Sequence, residues 1–393
     1  MRLILLLLVL IVALGVLETA HHRRMWRRIP VRIHVNGSRG KSSVTRLIAA
    51  GLQAGGIRTC AKTTGSAAVF IHADGSETPV ERFGPPNIKE QLGVFRRAVR
   101  EGAEALVLEC MAVRPDLQWI CEHRIVHSTH GVLTNVRPDH LEVQGPRLED
   151  VARSLAQTVP RGGEYFTAEQ RFADRLAATA RRRGSRFHGV DAAAVTEAEL
   201  APFAYVEFAD NVALALAVCT AVGVPRETAL RGMYGVTPDF GALVRWSVTT
   251  GGRRLEFVNA FAANDPESTL TIWRRLGLDA QPERAVVLLN NRADRMRRAH
   301  DLLPLLGREI RAARYVLAGE LTGQLADRLR RRVPREQVVD LGGRPAAALW
   351  EALAAAAPPE AVVVGIGNIG GVGGELVELL AAAPDGAPRE EVS

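Results

Sequence analysis

Apolar and polar positions fall into two regimes along this chain. From Leu3 to Leu17 every position is small or apolar, with Arg2 in front and the basic stretch HHRRMWRR behind. The run is shorter than the ~20 residues a spanning helix needs, but Met1 and the residues to Ala20 extend it. A cleaved leader would carry its charge in front and small residues at its cleavage site, whereas here the charge lies behind and Glu18 spoils the nearest candidate. The pattern predicts an uncleaved membrane anchor, with residues 21 onward on the cytoplasmic side and Trp26 at the interface.

After the anchor, short apolar strands alternate with amphipathic helices. VRIHV leads into a helix from Ser42, followed by ALVLEC at 105–110, GVLTNV at 131–136 and helical stretches around 148–158 and 168–183. Residues 209–233 read as two helices meeting at Gly223 to Pro225. The pattern breaks at Thr237-Pro238-Asp239-Phe240-Gly241, and a second series follows: RRLEFVNAF, a helix around Ser268 to Leu276, RAVVLLNN, a helix over 299–313, RYVLAG, and AVVVGIGNIGG with a helix from Glu375. Such alternation argues for mostly parallel sheets covered on both faces, an α/β fold. The expected division is an anchor and basic segment (1–29), a nucleotide-binding domain (30–240), a smaller Rossmann-like α/β domain (241–383) and a disordered tail (384–393).

Composition narrows the picture. Hydrophobic residues at 47% and charged residues at 24% are the balance of a folded body. The net charge is +7, carried by arginine except for Lys41, Lys62 and Lys89. Runs such as Arg181 to Arg183 read as solvated helix faces. Aromatics are only 5% and are not interleaved with the basic runs, which gives no support for nucleic-acid binding. The four cysteines have no metal or disulfide spacing and suit a reducing compartment.

Gly37-Ser38-Arg39-Gly40-Lys41-Ser42-Ser43, between a strand and a helix, has what a triphosphate needs. Glycines let backbone N–H groups approach the phosphates, the helix N-terminus adds partial positive charge, Lys41 reaches the β and γ phosphates, and Ser42 can ligate Mg²⁺. The longer GxxxxGK[ST] pattern would have glycine at 35, where this chain has Val35, so the leading glycine is Gly37. Gly365-x-Gly367-x-x-Gly370 is a lone GxGxxG, read as a turn at the C-terminal end of a strand.

This loop resembles the variant phosphate loop of the Mur ligase and folylpolyglutamate synthase superfamily. TNVRPDHLEVQG at 134–145 is similar to that superfamily's DH-containing signature, and Glu109 after ALVL looks like its magnesium-binding glutamate. The resemblance implies metal ligation by Ser42, Glu109 and His140. It also implies a nucleotide contact by Asn211, although Asp210 stands where the family has histidine, and another by Asn264 or Asp265 in NAFAANDPEST. Within the superfamily the chain resembles the ligase subunit of poly-γ-glutamate synthase, through KTTGS (62–66), GPPNIKEQ (84–91), ECMAVRP (109–115), NNRADR (290–295) and GIGNIGG (365–371).

That resemblance implies ATP and Mg²⁺ as cofactors, with glutamate and a growing γ-linked chain as substrates. It also implies small membrane subunits as partners. The expected chemistry is formation of an acyl phosphate and its capture by an amine. Lys41, Glu109, His140 and Lys62 are the catalytic candidates, and Arg292 and Arg295 would come from the second domain. Only the anchor and a few residues precede Val31, so a UDP-linked precursor is not expected as substrate. No lysine follows Lys89 to bridge two metals. A folylpolyglutamate-synthase-like ligase and a membrane-tethered ATPase that switches a partner complex are the competing readings.

Overall fold

The computed structural model describes residues 2–65, 68–82, 84–238, 243–263 and 265–383. Its contacts divide into two units, Met1–Leu200 with Phe208–Asp239, and Ala201–Glu207 with Phe240–Ser393. The sequence break expected at 240 lies among residues 239–242, and the tail expected at 384–393 is likewise outside the described residues. A single boundary is too simple, because residues 201–207 group with the second unit, where Val206 bridges Leu243.

The first unit is built on β1 (Val31–Asn36), β2 (Thr59–Thr63), β3 (Val69–Ile71), β4 (Glu77–Pro79), β5 (Ala105–Glu109), β6 (His130–Leu133), β7 (Glu164–Thr167) and β8 (Arg186–Gly189). They lie in the order β4-β3-β2-β5-β1-β6-β7-β8. All neighbours are parallel except β2-β3 and β3-β4. β5 is buried at every position, as a central strand covered on both faces must be. Leu106 and Leu108 face a cluster with Phe95, Val94 and Cys60. The intervening Val107 and Glu109 alternate to the other side, where helix α2 (Lys41–Ala54) packs on β2 and β5.

Helix α1 (Arg2–Arg27) is the one helix among the described residues long and apolar enough to cross a membrane, and its apolar stretch is wholly unburied. Its last turns dock on the first unit. His22 Nε2 lies 2.7 Å from the Ile125 carbonyl, and Trp26 stacks on His127 with the Arg32 guanidinium 4.9 Å from its ring. Trp26, expected at a membrane interface, is instead half-buried against its own domain.

The second unit holds β9 (Arg245–Thr250), β10 (Arg253–Asn259), β11 (Ala285–Asn291), β12 (Arg314–Gly319), β13 (Val338–Gly342) and β14 (Val362–Gly367). Their order is β13-β12-β11-β14-β10-β9, with only β9 antiparallel. Phe257, Phe261, Trp350 and Leu376 fill its core. The helix expected over 299–313 stops early. It runs Met296–Leu302, continues as one tight turn through Leu305, and yields to a loop at Gly307. Pro304 lacks the N–H that a longer helix would use. The helix expected from 168 begins at Ala173, because Glu164–Thr167 is spent on a strand.

Candidate active site

β1 lies between β5 and β6, so the loop leaving its C-terminal end has a strand end on each side. Val35 is fully buried and pairs in register with Glu109, which explains why this position is a strand residue and not a loop glycine. The turn begins at Gly37 (φ +138°), where a Cβ would sit 2.0 Å from Thr134 Oγ1. It closes at Gly40 (φ +79°), where a Cβ would sit 2.5 Å from Asn211 Oδ1. Only glycine combines these torsions with such close approach. Asn211, on the helix Ala209–Val222, is thereby set against this loop.

Residues 134–139 hold the loop in place. The Ser38 N–H donates to the Asn135 carbonyl at 3.0 Å, and the Arg39 N–H donates to Asn135 Oδ1 at 3.1 Å. Asn135 Nδ2 and Thr134 Oγ1 both donate to the Arg39 carbonyl. Ser38 Oγ donates to the Arg137 carbonyl and accepts from the Arg137 N–H. The Arg39 side chain meets Asp139 at 3.1 Å. Sequence reasoning quoted TNVRPDH for His140 alone. Thr134 and Asn135, which fix the loop's backbone, were missed because a main-chain contact leaves no spacing signal.

Lys41 Nζ donates to the carbonyls of Gly37 (2.7 Å) and Ser38 (3.2 Å). Ser42 Oγ donates to Glu109 Oε2 at 2.9 Å, and the Thr64 N–H donates to the same oxygen at 2.6 Å. Glu109 is 2% exposed. Burial pushes its carboxyl above the usual range, opposed by the Lys41 charge and by the bonds from Thr64 and Ser42. Ser43 lies in the first turn of α2 beside them. His140 adopts a left-handed backbone (φ +47°) at the start of the short helix Leu141–Gln144, its Nδ1 3.3 Å from Glu142.

Lys41, Glu109, Asp139 and His140 all line one cavity of about 250 Å³, with Thr64, Arg82 and Met111 also on its wall. The paired oxygens of Ser42 and Glu109 are the hard donors Mg²⁺ prefers. Among the described residues no cluster of three or more His, Cys, Asp or Glu side chains could hold a metal by itself. The donor set therefore suits a cation that takes most of its ligands from phosphate and water.

Lys62 is not on that wall. Its amine is fully buried, 3.0 Å from Glu90 Oε2 and 3.6 Å from Met111 Sδ, and burial lowers its pKa against the attraction of Glu90. Arg82 grips the same carboxylate at 2.9 and 3.1 Å. Cys110 borders the cavity, and behind it His34 Nδ1 lies 2.7 Å from Glu122 and His34 Nε2 3.9 Å from Cys121. Burial alone would lower the His34 pKa, but the Cys110 charge and the bonds to Cys110 and Glu122 outweigh it and raise it to about 10. All four cysteines are free and buried.

In the second unit, Arg292 and Arg295 flank Asp294 at 3.0 and 3.9 Å, just after β11. The Arg292 guanidinium lies over Gly370, where a Cβ would sit 2.4 Å from Nη1. Asn290 Nδ2 donates to the carbonyls of Asn368 and Gly370, tying the ends of β11 and β14 together. The buried atoms Asn290 Oδ1, Asn291 Oδ1 and Asn368 Nδ2 have no protein partner. Asn264 is outside the described residues. Asp265 caps the helix Pro266–Arg275, accepting from the Ser268 N–H at 3.0 Å.

Comparison with known proteins gives two family matches: the Mur ligase middle domain over residues 35–196, and the poly-gamma-glutamate synthase CapB C-terminal domain over residues 246–383. The chain is 36% identical to the PGA synthase CapB of Bacillus subtilis (strain 168), covering 94% of this chain and 95% of that protein. It is 35% identical to the capsule biosynthesis protein CapB of Bacillus anthracis, over 98% and 83% of the two chains. A bifunctional folylpolyglutamate synthase/dihydrofolate synthase from Yersinia pestis, solved with AMPPNP and Mn ion, shares the fold at a TM-score of 0.67 and 16% identity, over 93% and 92% of the chains. MurF from Acinetobacter baumannii does so at 0.64 and 15% identity, over 92% and 79%. The fold is thus that of the Mur ligases and folylpolyglutamate synthases, and the chain belongs to the CapB family of poly-γ-glutamate synthases.

Proposed function

We infer that this chain is an ATP-dependent ligase that joins glutamate residues through their γ-carboxyl groups into a polymer. The observation that carries the reading is the convergence of Lys41, Glu109 and His140 on one cavity, in a chain of the CapB family.

A carboxylate resists attack because it is anionic and oxide is a hopeless leaving group. Transfer of the γ-phosphoryl group of ATP to the γ-carboxylate of the acceptor releases ADP and gives an acyl phosphate. The amine of the next glutamate then attacks the acyl carbon, phosphate leaves with the bonding pair, and the nitrogen loses a proton. The protein's part is positioning and charge stabilisation. Gly37 to Ser43 cradle the phosphates, with Lys41 on the β and γ groups and Asn211 supporting the turn. Ser42 and Glu109 are suited to hold one Mg²⁺ and His140 a second metal. Bound there, the cation would neutralise developing charge on the phosphates.

Lys62 serves this site from behind, by fixing Glu90 and through it Arg82 on the cavity wall. Arg292 and Arg295 of the second unit offer guanidinium groups for an anionic substrate or nucleotide. Helix α1 is the candidate membrane anchor. The basic residues that follow its apolar stretch favour a cytoplasmic catalytic part, with small membrane subunits taking the polymer across the bilayer.

The test is to supply a membrane fraction with ATP, Mg²⁺ and labelled glutamate. Label entering a protease-resistant polymer supports the reading, whereas label in a folate, or ATP hydrolysis without incorporation, refutes it. Full glutamate-dependent ADP release by Lys41→Ala or His140→Ala would refute the role given to that residue.

A further inference from the structure

On the first unit, the segment formed by the helix Leu148–Leu155 and the turn Ala156–Thr158 lies beside the helix Ala173–Arg182. Between them runs an open groove of about 570 Å³, lined by Arg153, Arg175, Arg182, Arg183, Gln157 and Thr179 together with two alanines. We propose that this groove binds the poly-γ-glutamate chain outside the catalytic cavity, as a second, non-catalytic polymer site. The proposal deepens the ligase reading and rests on it for the identity of the ligand.

The groove's charges are poorly neutralised from within. Arg175 donates to the Glu149 carbonyl at 3.1 Å and Arg182 to Thr179 Oγ1 at 2.9 Å, both neutral acceptors. Arg183 is held by the carbonyls of Ala156, Gln157 and Val159 and by His123. Only Arg153 has a carboxylate, Asp150 at 3.2 Å, and it shares that group with Arg147. The Arg183 guanidinium is spent on backbone carbonyls, which leaves Arg153, Arg175 and Arg182 on the groove wall with a single acidic partner among them.

A γ-linked glutamate chain leaves one free α-carboxylate on every residue, so it presents a regular row of anions. Guanidinium forks match carboxylates in a two-point geometry that lysine cannot offer. No aromatic ring lines the groove, which removes the stacking that single-stranded nucleic acid would use. Position supports the same occupant. Leu155 borders the catalytic cavity, and the next two residues, Ala156 and Gln157, border the groove, so consecutive residues of one segment line the two. A polymer held there would stay at high effective concentration near the site that extends it.

The test uses the full chain and the variant Arg175→Gln/Arg182→Gln, both changes being at exposed positions. Labelled poly-γ-glutamate of fixed length is titrated without ATP, and product length and initial ADP release on a short primer are measured in parallel. The expected result is an affinity about tenfold weaker, the scale of one or two lost charge-assisted contacts, with shorter products and an unchanged initial rate. Arg175→Glu/Arg182→Glu should weaken binding further. Equal affinity in variant and parent overturns the proposal. So does an equal loss of affinity for single-stranded DNA of matched charge, which would mark an unspecific basic surface. Should the parent make no polymer, the ligase reading fails, while the binding titration, which needs no turnover, still decides the groove.

Discussion

The Ser42 hydroxyl donates to Glu109 across 2.9 Å, joining two residues 67 positions apart in sequence. Glu109 is buried, and burial raises its pKa, so its ionised form is held at some cost to the fold. A carboxylate kept there against desolvation is a functional compromise. Glu109→Gln should therefore lower glutamate-dependent ADP release about a hundredfold or more, while leaving the melting temperature unchanged or raised. A loss of stability in step with activity would show that the carboxylate serves packing instead.

The Asn135 side chain touches the phosphate loop twice, accepting from the Arg39 N–H and donating to the Arg39 carbonyl. Asn135→Leu removes both bonds and leaves the loop backbone to find other partners. The KM for ATP should rise about tenfold, the scale of one or two hydrogen bonds, with a smaller change in kcat. Isothermal titration with a non-hydrolysable ATP analogue checks it: unchanged affinity would show that the loop holds its shape without this residue.

His123 is buried beside Arg183, and its pKa falls from 6.5 to about 4, chiefly through burial, which the Glu122 charge opposes and repulsion by Arg183 and Arg161 reinforces. His127 and His130 are lowered too, again mainly by burial. A depressed histidine is neutral when folded and charged when unfolded, so the unfolded chain binds more protons below pH 6.5. The share of stability owed to these three rings is therefore complete above that pH and declines as pH falls toward 4. Urea midpoints measured across this range should drop with acidity, and His123→Gln should flatten part of the slope. A flat parental profile would contradict the burial of these rings.

Much of this layout was legible in the sequence. The central strands announce themselves because burial on both faces makes them unbroken apolar runs, as in ALVLE and AVVVGIG, and the loop at Gly37 to Ser43 follows from glycine and lysine spacing. The edge strands β4, β8 and β13 were not legible, since Glu77–Pro79 and Arg186–Gly189 are short, polar and half-exposed. The Arg181 to Arg183 run read as one solvated face, yet Arg183 turns inward to three backbone carbonyls at the end of its helix. Contacts made through backbone, such as those of Asn135, leave no trace in side-chain pattern.

Helix α1 divides at about residue 21 into an unburied apolar part and a docked part. Removing residues 1–20 should release the protein from membranes without unfolding it. Trp26→Ala should instead cost roughly 1–3 kcal/mol through loss of the stack on His127 and the Arg32 contact. Flotation of the truncated chain with vesicles, or a wild-type urea midpoint for Trp26→Ala, would contradict this division.

Lys62 and Glu90 offer a test of what a buried lysine does here. Glu90 is gripped from two sides, by the buried Lys62 amine and by Arg82 on the cavity wall. Lys62→Met removes one cation but leaves the carboxylate paired with Arg82, so the fold should survive with little loss. Glu90→Gln leaves the Lys62 amine buried without its counter-ion, a situation that costs about 3–5 kcal/mol unless the amine sheds its proton. Burial already depresses this lysine, so raising the pH should recover part of the stability lost by Glu90→Gln and none of that lost by Lys62→Met. If Lys62 acts only through Glu90 and Arg82, Lys62→Met should lower activity modestly and the double variant should be no worse than Glu90→Gln alone. A loss in Lys62→Met as deep as that of Lys41→Ala would instead mean that the amine reaches the reacting groups directly.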